Sequence, residues 1–118
     1  MIKSVMKFED IKQIKICGVM YSVVYDKNLA SLDVLGLFDF KQDVIRVMPG
    51  LAPEAEKTVV THEAYHGVMH RYGFTGEHNE QAIHATANGT IQLLRDNPHY
   101  VKWILDDSFV SSNRKPPK

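Results

Sequence analysis

The sequence has 118 residues, of which 44% are apolar and 24% are charged, values typical of one soluble globular domain and not of a disordered chain. Fourteen Lys and Arg residues balance fourteen Asp and Glu residues, so the formal net charge is zero at pH 7. Without excess positive charge the protein has no global field that attracts nucleic acid or an acidic membrane, and we expect neither as a partner. The one cysteine, Cys17, excludes an intramolecular disulfide and favours a cytoplasmic protein.

The first half of the chain has the pattern of short strands. Residues 14–25 are rich in β-branched and aromatic side chains that nearly alternate with polar ones, and Gly18 interrupts them. Two further apolar runs, 35–40 and 44–48, flank a polar triplet at hairpin spacing. We expect two or three antiparallel strands, with Cys17 buried in one of them. Five aromatic residues are expected in the core: Tyr21, Tyr25, Phe38, Phe40 and Trp103.

The second half of the chain has the pattern of helices. Pro53 followed by two glutamates indicates a helix start, and this helix should extend to about Tyr72. A second helix is predicted from about Glu77 to Arg95, antiparallel to the first, and a short third one begins at Pro98. The fold class is therefore α+β, with a single domain over residues 1–110 and a disordered tail over 111–118.

The first predicted helix contains the pattern H-E-x-x-H at residues 62–66. Residues four apart lie one above the other on a helix face, so His62 and His66 can both bind one Zn²⁺ ion. Glu63 points to the same side of the metal, where its carboxylate can deprotonate a water molecule. The pattern thus provides two metal ligands and a general base.

A catalytic zinc ion needs a third protein ligand, which must come from elsewhere in the chain. Glu80 and His84 are the candidates, because both lie on one face of the predicted second helix. Matching the levels of two antiparallel helices places either residue near the metal, so geometry alone leaves the choice open.

Several motifs resemble those of a known family. The H-E-x-x-H segment, the later Asn79-Glu80-Gln81-Ala82-Ile83 and Ala87-Asn88-Gly89 segments, and the hairpin before the metal helix are similar to small phage-type zincins related to the ImmA/IrrE metallo-endopeptidases. The similarity covers about residues 14–105. One departure is Gly67, which stands where an alanine often follows the second histidine.

This resemblance implies a minimal zincin fold, one zinc ion and hydrolysis of a peptide bond in a protein substrate, which in larger relatives is often a helix-turn-helix repressor. In thermolysin-like zincins, a glutamate that follows an asparagine on the next helix is the third ligand. On that basis we expect His62, His66 and Glu80 as ligands, with Glu63 as general base. His84 then becomes a group that hydrogen-bonds a ligand or shapes the substrate cleft, or an alternative ligand.

The remaining expectations concern the substrate and the other histidines. The strand over residues 44–48 could offer a free edge to which an extended substrate adds. A donor to the oxyanion is needed, and four residues are candidates: His70, Tyr72, His78 and His84. We expect His70 to be solvated near a helix end and His99 to be a surface residue. The alternative function is a non-catalytic module in which zinc stabilises a protein-binding fold, with all four zinc positions filled by side chains.

Overall fold

The computed structural model of the protein describes residues 13–73 and 78–108, and these form a mixed α+β fold, as the sequence predicts. The four strands are β1 (Gln13–Ile16), β2 (Val19–Tyr25), β3 (Gly36–Asp39) and β4 (Val44–Val47). The helices are α1 (Pro53–Arg71), α2 (Glu80–Asp96) and α3 (Pro98–Leu105), and a 3-10 helix covers Lys27–Leu32. The predicted tail at residues 111–118 and the predicted start of the second helix at Glu77 lie outside the described residues.

The strands form one mixed sheet in the order β1-β2-β4-β3. The β1–β2 and β3–β4 pairs are antiparallel, whereas β2 and β4 run parallel, with Ser22 opposite Val44 and Tyr25 opposite Val47. The expectation of two or three antiparallel strands is therefore wrong. The chain leaves β2 through the 3-10 helix and crosses to the far edge as β3, so that β4 returns beside β2 in the same direction.

Three features of the structure correct predictions from the sequence. Because β4 lies between β2 and β3, it has no free edge, and β3 is the edge strand on that side of the sheet. Cys17 is exposed and has a φ of 50°, because the segment expected to be continuous turns at Cys17 and Gly18 between β1 and β2. Of the five aromatic residues expected in the core, Tyr21 is buried and Phe38 is half-buried, but three are exposed: Tyr25, Phe40 and Trp103.

Helix α1 packs against the sheet and closes the main core. Pro53 occupies the first turn, and two glutamates there complement the positive end of the helix dipole. The buried core residues are Ile16, Tyr21, Ile45, Val47 and Val60. Gly67 lets the helix approach closely, because a Cβ at this position would lie 2.8 Å from Phe38 Cε2 and 2.9 Å from Ile16 Cδ1. This contact explains why a glycine follows the second histidine.

Helix α2 begins where the side chain of Asn79 accepts a hydrogen bond from the backbone N–H of Ala82, at 2.9 Å. Glu80 at its first position reaches His62, and Asn88, two turns later, pairs with Thr58. Since residue numbers rise along α2 as they fall along α1, the two helices are antiparallel over this stretch.

The described residues divide into two compact units, one up to Asn88 and one from Gly89 onward. The second unit holds the later half of α2 and the short helix α3, joined at Asn97, whose side chain donates to the carbonyl of Leu93 at 2.9 Å. Pro98 starts α3, which has no buried residue. Among the described residues, we find no helix that is both long enough and apolar enough to cross a membrane.

Candidate metal centre

The two histidines of α1 meet one carboxylate from α2. Glu80 Oε2 lies 2.8 Å from His62 Nε2, and Glu80 Oε1 lies 2.7 Å from His66 Nε2. The carboxylate thus bridges the two imidazoles, using one oxygen for each. Both imidazole side chains are largely buried, with 15% of their surface exposed, while Glu80 is 66% exposed.

Local structure places each of these three side chains. The two histidines are one helical turn apart on α1, so their rings face the same side, with centroids 5.1 Å apart. Asn79 fixes the first turn of α2 by accepting a hydrogen bond from the backbone N–H of Ala82, and Glu80 is the first residue of this helix. The Asn-Glu pair thus combines a helix cap with a carboxylate that faces the two histidines of α1.

These residues fit a zinc ion. One ligand atom from each of His62, His66 and Glu80 can be chosen so that all three lie within 4.8 Å of one another. Zinc takes imidazole nitrogen and carboxylate oxygen at about 2.0–2.2 Å, so small side-chain movements bring the three atoms to one ion. Two histidines and one carboxylate leave a fourth position for a water molecule, which is the pattern of hydrolytic zinc sites.

Glu63 lies on the side of α1 that faces the sheet. It is 8% exposed, and burial, together with the nearby charge of Glu80, raises its pKa from 4.5 to about 7. Gly36 at the start of β3 makes room for it, since a Cβ there would lie 3.0 Å from Glu63 Oε2 and 2.6 Å from Val59 Cγ1. The carboxyl group is therefore enclosed between α1 and the edge strand.

His84 does not join the three residues that could share a metal ion. Its ring centroid lies 6.1 Å from that of His62, and its Nε2 pairs with Asn88 Nδ2 at 3.0 Å. Asn88 in turn accepts a hydrogen bond from Thr58 Oγ1 at 3.1 Å. Of the two candidates for the third ligand, the structure brings Glu80 to the histidines of α1, whereas His84 is held beside them.

The other histidines have distinct surroundings. His78 meets His66, with 2.7 Å between the two Nδ1 atoms, a contact that no sequence pattern indicated. His70 is half-buried and stacks on Phe40, with ring centroids 4.8 Å apart, so the expectation of a solvated residue is wrong. His99 is exposed, as expected, and Tyr72 is also exposed.

Burial also lowers the pKa of His66, and this effect outweighs the opposite influence of the Glu80 charge. A neutral imidazole keeps a lone pair for a metal ion, so the environment of His66 favours the form that a ligand needs.

Comparisons of the chain with protein-family models, with curated proteins and with solved structures gave no match.

Proposed function

We propose that the protein is a zinc-dependent metallo-endopeptidase, with His62, His66 and Glu80 as the zinc ligands and Glu63 as the general base. The observation that carries this proposal is the bridging carboxylate of Glu80, which faces the Nε2 atoms of both histidines of the H-E-x-x-H segment. When bound, zinc supplies a Lewis acid that polarises the substrate carbonyl and lowers the pKa of water toward 7.

Glu63 takes the proton-transfer role in this proposal. Its carboxylate accepts the proton of the attacking water molecule and delivers it to the amine that leaves when the peptide bond breaks. A general base works best when its pKa lies near the working pH. Burial between α1 and β3, which raises the pKa of Glu63 to about 7, suits this role.

Strand β3 supports the choice of a peptide substrate. It is the edge strand on its side of the sheet, and its first residue, Gly36, lies against Glu63. An extended peptide can pair with an edge strand through main-chain hydrogen bonds, which would bring a peptide bond alongside the general base. By its resemblance to the ImmA/IrrE metallo-endopeptidases, we extend the proposal to a regulatory repressor as substrate, in the cytoplasm of a host cell.

The alternative, a zinc-stabilised binding module, requires a fourth side chain at the metal. His84 is the candidate named from the sequence, but its Nε2 pairs with Asn88, and it lies outside the three-residue group. A purely structural site also has no use for a carboxyl group like that of Glu63. Both features favour the open, catalytic site.

A cleavage assay with matched variants tests the proposal. The zinc-loaded chain is incubated with a mixture of peptides from a digested bacterial proteome, and mass spectrometry identifies the new peptide ends. We expect cleavage that stops when zinc is removed and that falls by about 100-fold or more in Glu63→Gln, since general bases contribute this much. Glu54→Gln, at an exposed position of the same helix, is the control and should cleave as the wild type does.

Two results would contradict the proposal. Equal cleavage by the wild type and Glu63→Gln would remove Glu63 from the mechanism. A zinc-bound structure with four protein ligands, combined with an absence of cleavage, would instead establish the binding module.

A further inference from the structure

His66 has a second imidazole as its neighbour on the side away from Glu80. Its Nδ1 lies 2.7 Å from Nδ1 of His78, which is half-buried and directly precedes the cap of α2. The two ring planes are inclined by only 13°, and the centroids are 4.9 Å apart. Parallel rings with this centroid separation and with their nitrogens in contact meet edge to edge and not face to face, which is the arrangement of an N–H···N hydrogen bond.

The two nitrogens of His66 face different partners. Nε2 faces Glu80 at 2.7 Å, and Nδ1 faces His78 at 2.7 Å. The Glu80 carboxylate can only accept, so without a metal ion the proton of a neutral His66 lies on Nε2. When a cation takes the lone pair of Nε2, the proton lies on Nδ1, and that nitrogen becomes the donor to His78. Histidines that bind metals almost always donate their other ring N–H to a hydrogen-bond acceptor, which is the position that His78 occupies here.

We propose that His78 is a positioning residue for His66 and that, in the zinc-bound form, Nδ1–H of His66 donates to Nδ1 of His78. This hydrogen bond stabilises the tautomer of His66 that leaves the lone pair of Nε2 for a metal ion, and it fixes the orientation of the ring. This inference rests on the proposed zinc site. It adds a residue, His78, that affects zinc binding by orienting the ligand His66.

His78 belongs to a short segment in which each residue makes a contact near the candidate metal centre. The segment His78-Asn79-Glu80 supplies, in three consecutive residues, the partner of His66, the cap of α2 and the carboxylate that faces both histidines. One short segment at the start of α2 therefore supplies contacts of the centre that do not come from α1. Because Asn79 fixes the first turn of α2, it also fixes the positions of His78 and Glu80 relative to that helix.

A pair of substitutions separates hydrogen bonding from the mere presence of a side chain. In His78→Asn, the amide oxygen can take the place of Nδ1 and still accept the hydrogen bond. In His78→Leu, a side chain of similar bulk has no acceptor. His99→Leu changes an exposed histidine and serves as the control. Circular dichroism with a chelator present establishes that each variant is folded.

Zinc affinity is measured by competition with a chromophoric chelator. We expect a loss of about 10- to 100-fold for His78→Leu, the range found for partners of metal-binding histidines. His78→Asn should stay within about 3-fold of the wild type, and His99→Leu should match it, since a retained acceptor preserves the hydrogen bond.

Nuclear magnetic resonance reports on the proposed hydrogen bond directly, through the position and the exchange of its proton. In long-range ¹H–¹⁵N spectra of the zinc-loaded protein, we expect Nδ1 of His66 to carry the proton, with slow exchange with water. This exchange should become faster in His78→Leu and stay slow in His78→Asn.

The outcomes distinguish this inference from the proposed function. Wild-type zinc affinity in His78→Leu, together with loss of binding in His62→Ala, would overturn the role of His78 and leave the zinc site in place. Equal losses in His78→Leu and His78→Asn would also overturn it. A wild-type chain that binds no zinc would overturn both proposals.

Discussion

The side of α1 that faces the sheet and the side that faces α2 are held by different kinds of contact. On the sheet side, the helix packs on β1, β3 and β4 through its buried residues, Val60, Glu63 and Gly67. On the other side, polar pairs connect it to α2, and His62, His66 and Thr58 reach Glu80 and Asn88. Apolar burial fixes where the helix lies, whereas a few directional contacts arrange the groups that could meet a metal ion.

This division places most of the apolar packing and most of the candidate metal ligands on different faces of one helix. The polar side can rearrange around an ion at little cost, because its hydrogen bonds and ion pairs end on exposed groups of α2, where each contributes about 1 kcal/mol or less. Glu63 is the exception, since it is a carboxyl group on the buried side. Burial of this carboxyl group should therefore lower the free energy of unfolding at any pH at which the group would be ionised in the unfolded chain.

The largest expected effect concerns this exception. Below pH 4.5, Glu63 is protonated in both the folded and the unfolded protein and carries no penalty. As the pH rises toward 7, the unfolded chain ionises first, so Glu63 progressively destabilises the fold, and above 7 the penalty is constant. The test is the free energy of unfolding of Glu63→Gln and of the wild type, measured by urea titration with a chelator present. Glu63→Gln should become more stable relative to the wild type by about 2 kcal/mol as the pH rises from about 5 to about 8.

Glu54→Gln provides the comparison for this pH dependence, because Glu54 is exposed on the same helix. The difference in unfolding free energy between Glu54→Gln and the wild type should stay nearly constant over the same pH range. A flat difference for Glu63→Gln as well would mean that the burial of Glu63 has no energetic consequence and that the two sides of α1 do not differ as described.

A smaller effect is expected where the sheet side is packed most closely. Alanine at Gly67 would place its Cβ against Phe38 and Ile16, and the resulting strain should exceed the gain in helix propensity. We expect Gly67→Ala to lower the free energy of unfolding by about 1 kcal/mol. Gly89→Ala, at a position in α2 with open space around the added Cβ, should instead raise it by about 0.5–1 kcal/mol. Equal effects of the two substitutions in chemical denaturation would show that the contact at Gly67 is loose.

The sequence was most informative where the signals are local. Pro53 and the glutamates after it predicted the start of α1, and residues 41–43 predicted the β3–β4 hairpin, because helix starts and tight turns depend on neighbouring residues. The parallel pairing of β2 with β4 depends on a crossover through β3, which side-chain alternation does not encode. For this reason the edge strand was wrongly assigned.

The candidate site shows the same division between local and non-local information. The spacing of His62 and His66 placed both rings on one face of α1, since helix geometry determines that arrangement. Glu80 came from a resemblance, because level-matching of the helices left His84 equally acceptable. The contact between His78 and His66 could not be predicted, since the position of a residue between two helices depends on the path of the connecting segment. A histidine two residues before a suspected ligand is the one signal that could have pointed to it.

The smallest expected effect tests the polar side of α1. Thr58 Oγ1 donates a hydrogen bond to Asn88 Oδ1 at 3.1 Å, and Thr58 is half-buried while Asn88 is exposed. Substitution of either residue should therefore lower the free energy of unfolding by less than about 1 kcal/mol. A double-mutant cycle of Thr58→Val and Asn88→Ala, measured by urea denaturation, should give a coupling energy of about 0.5 kcal/mol. Thr61→Val is the control, because the Thr61 hydroxyl donates within α1 to the carbonyl of Lys57, and its effect should add to that of Asn88→Ala. A coupling energy above about 2 kcal/mol would mean that the polar side is held as firmly as the packed side.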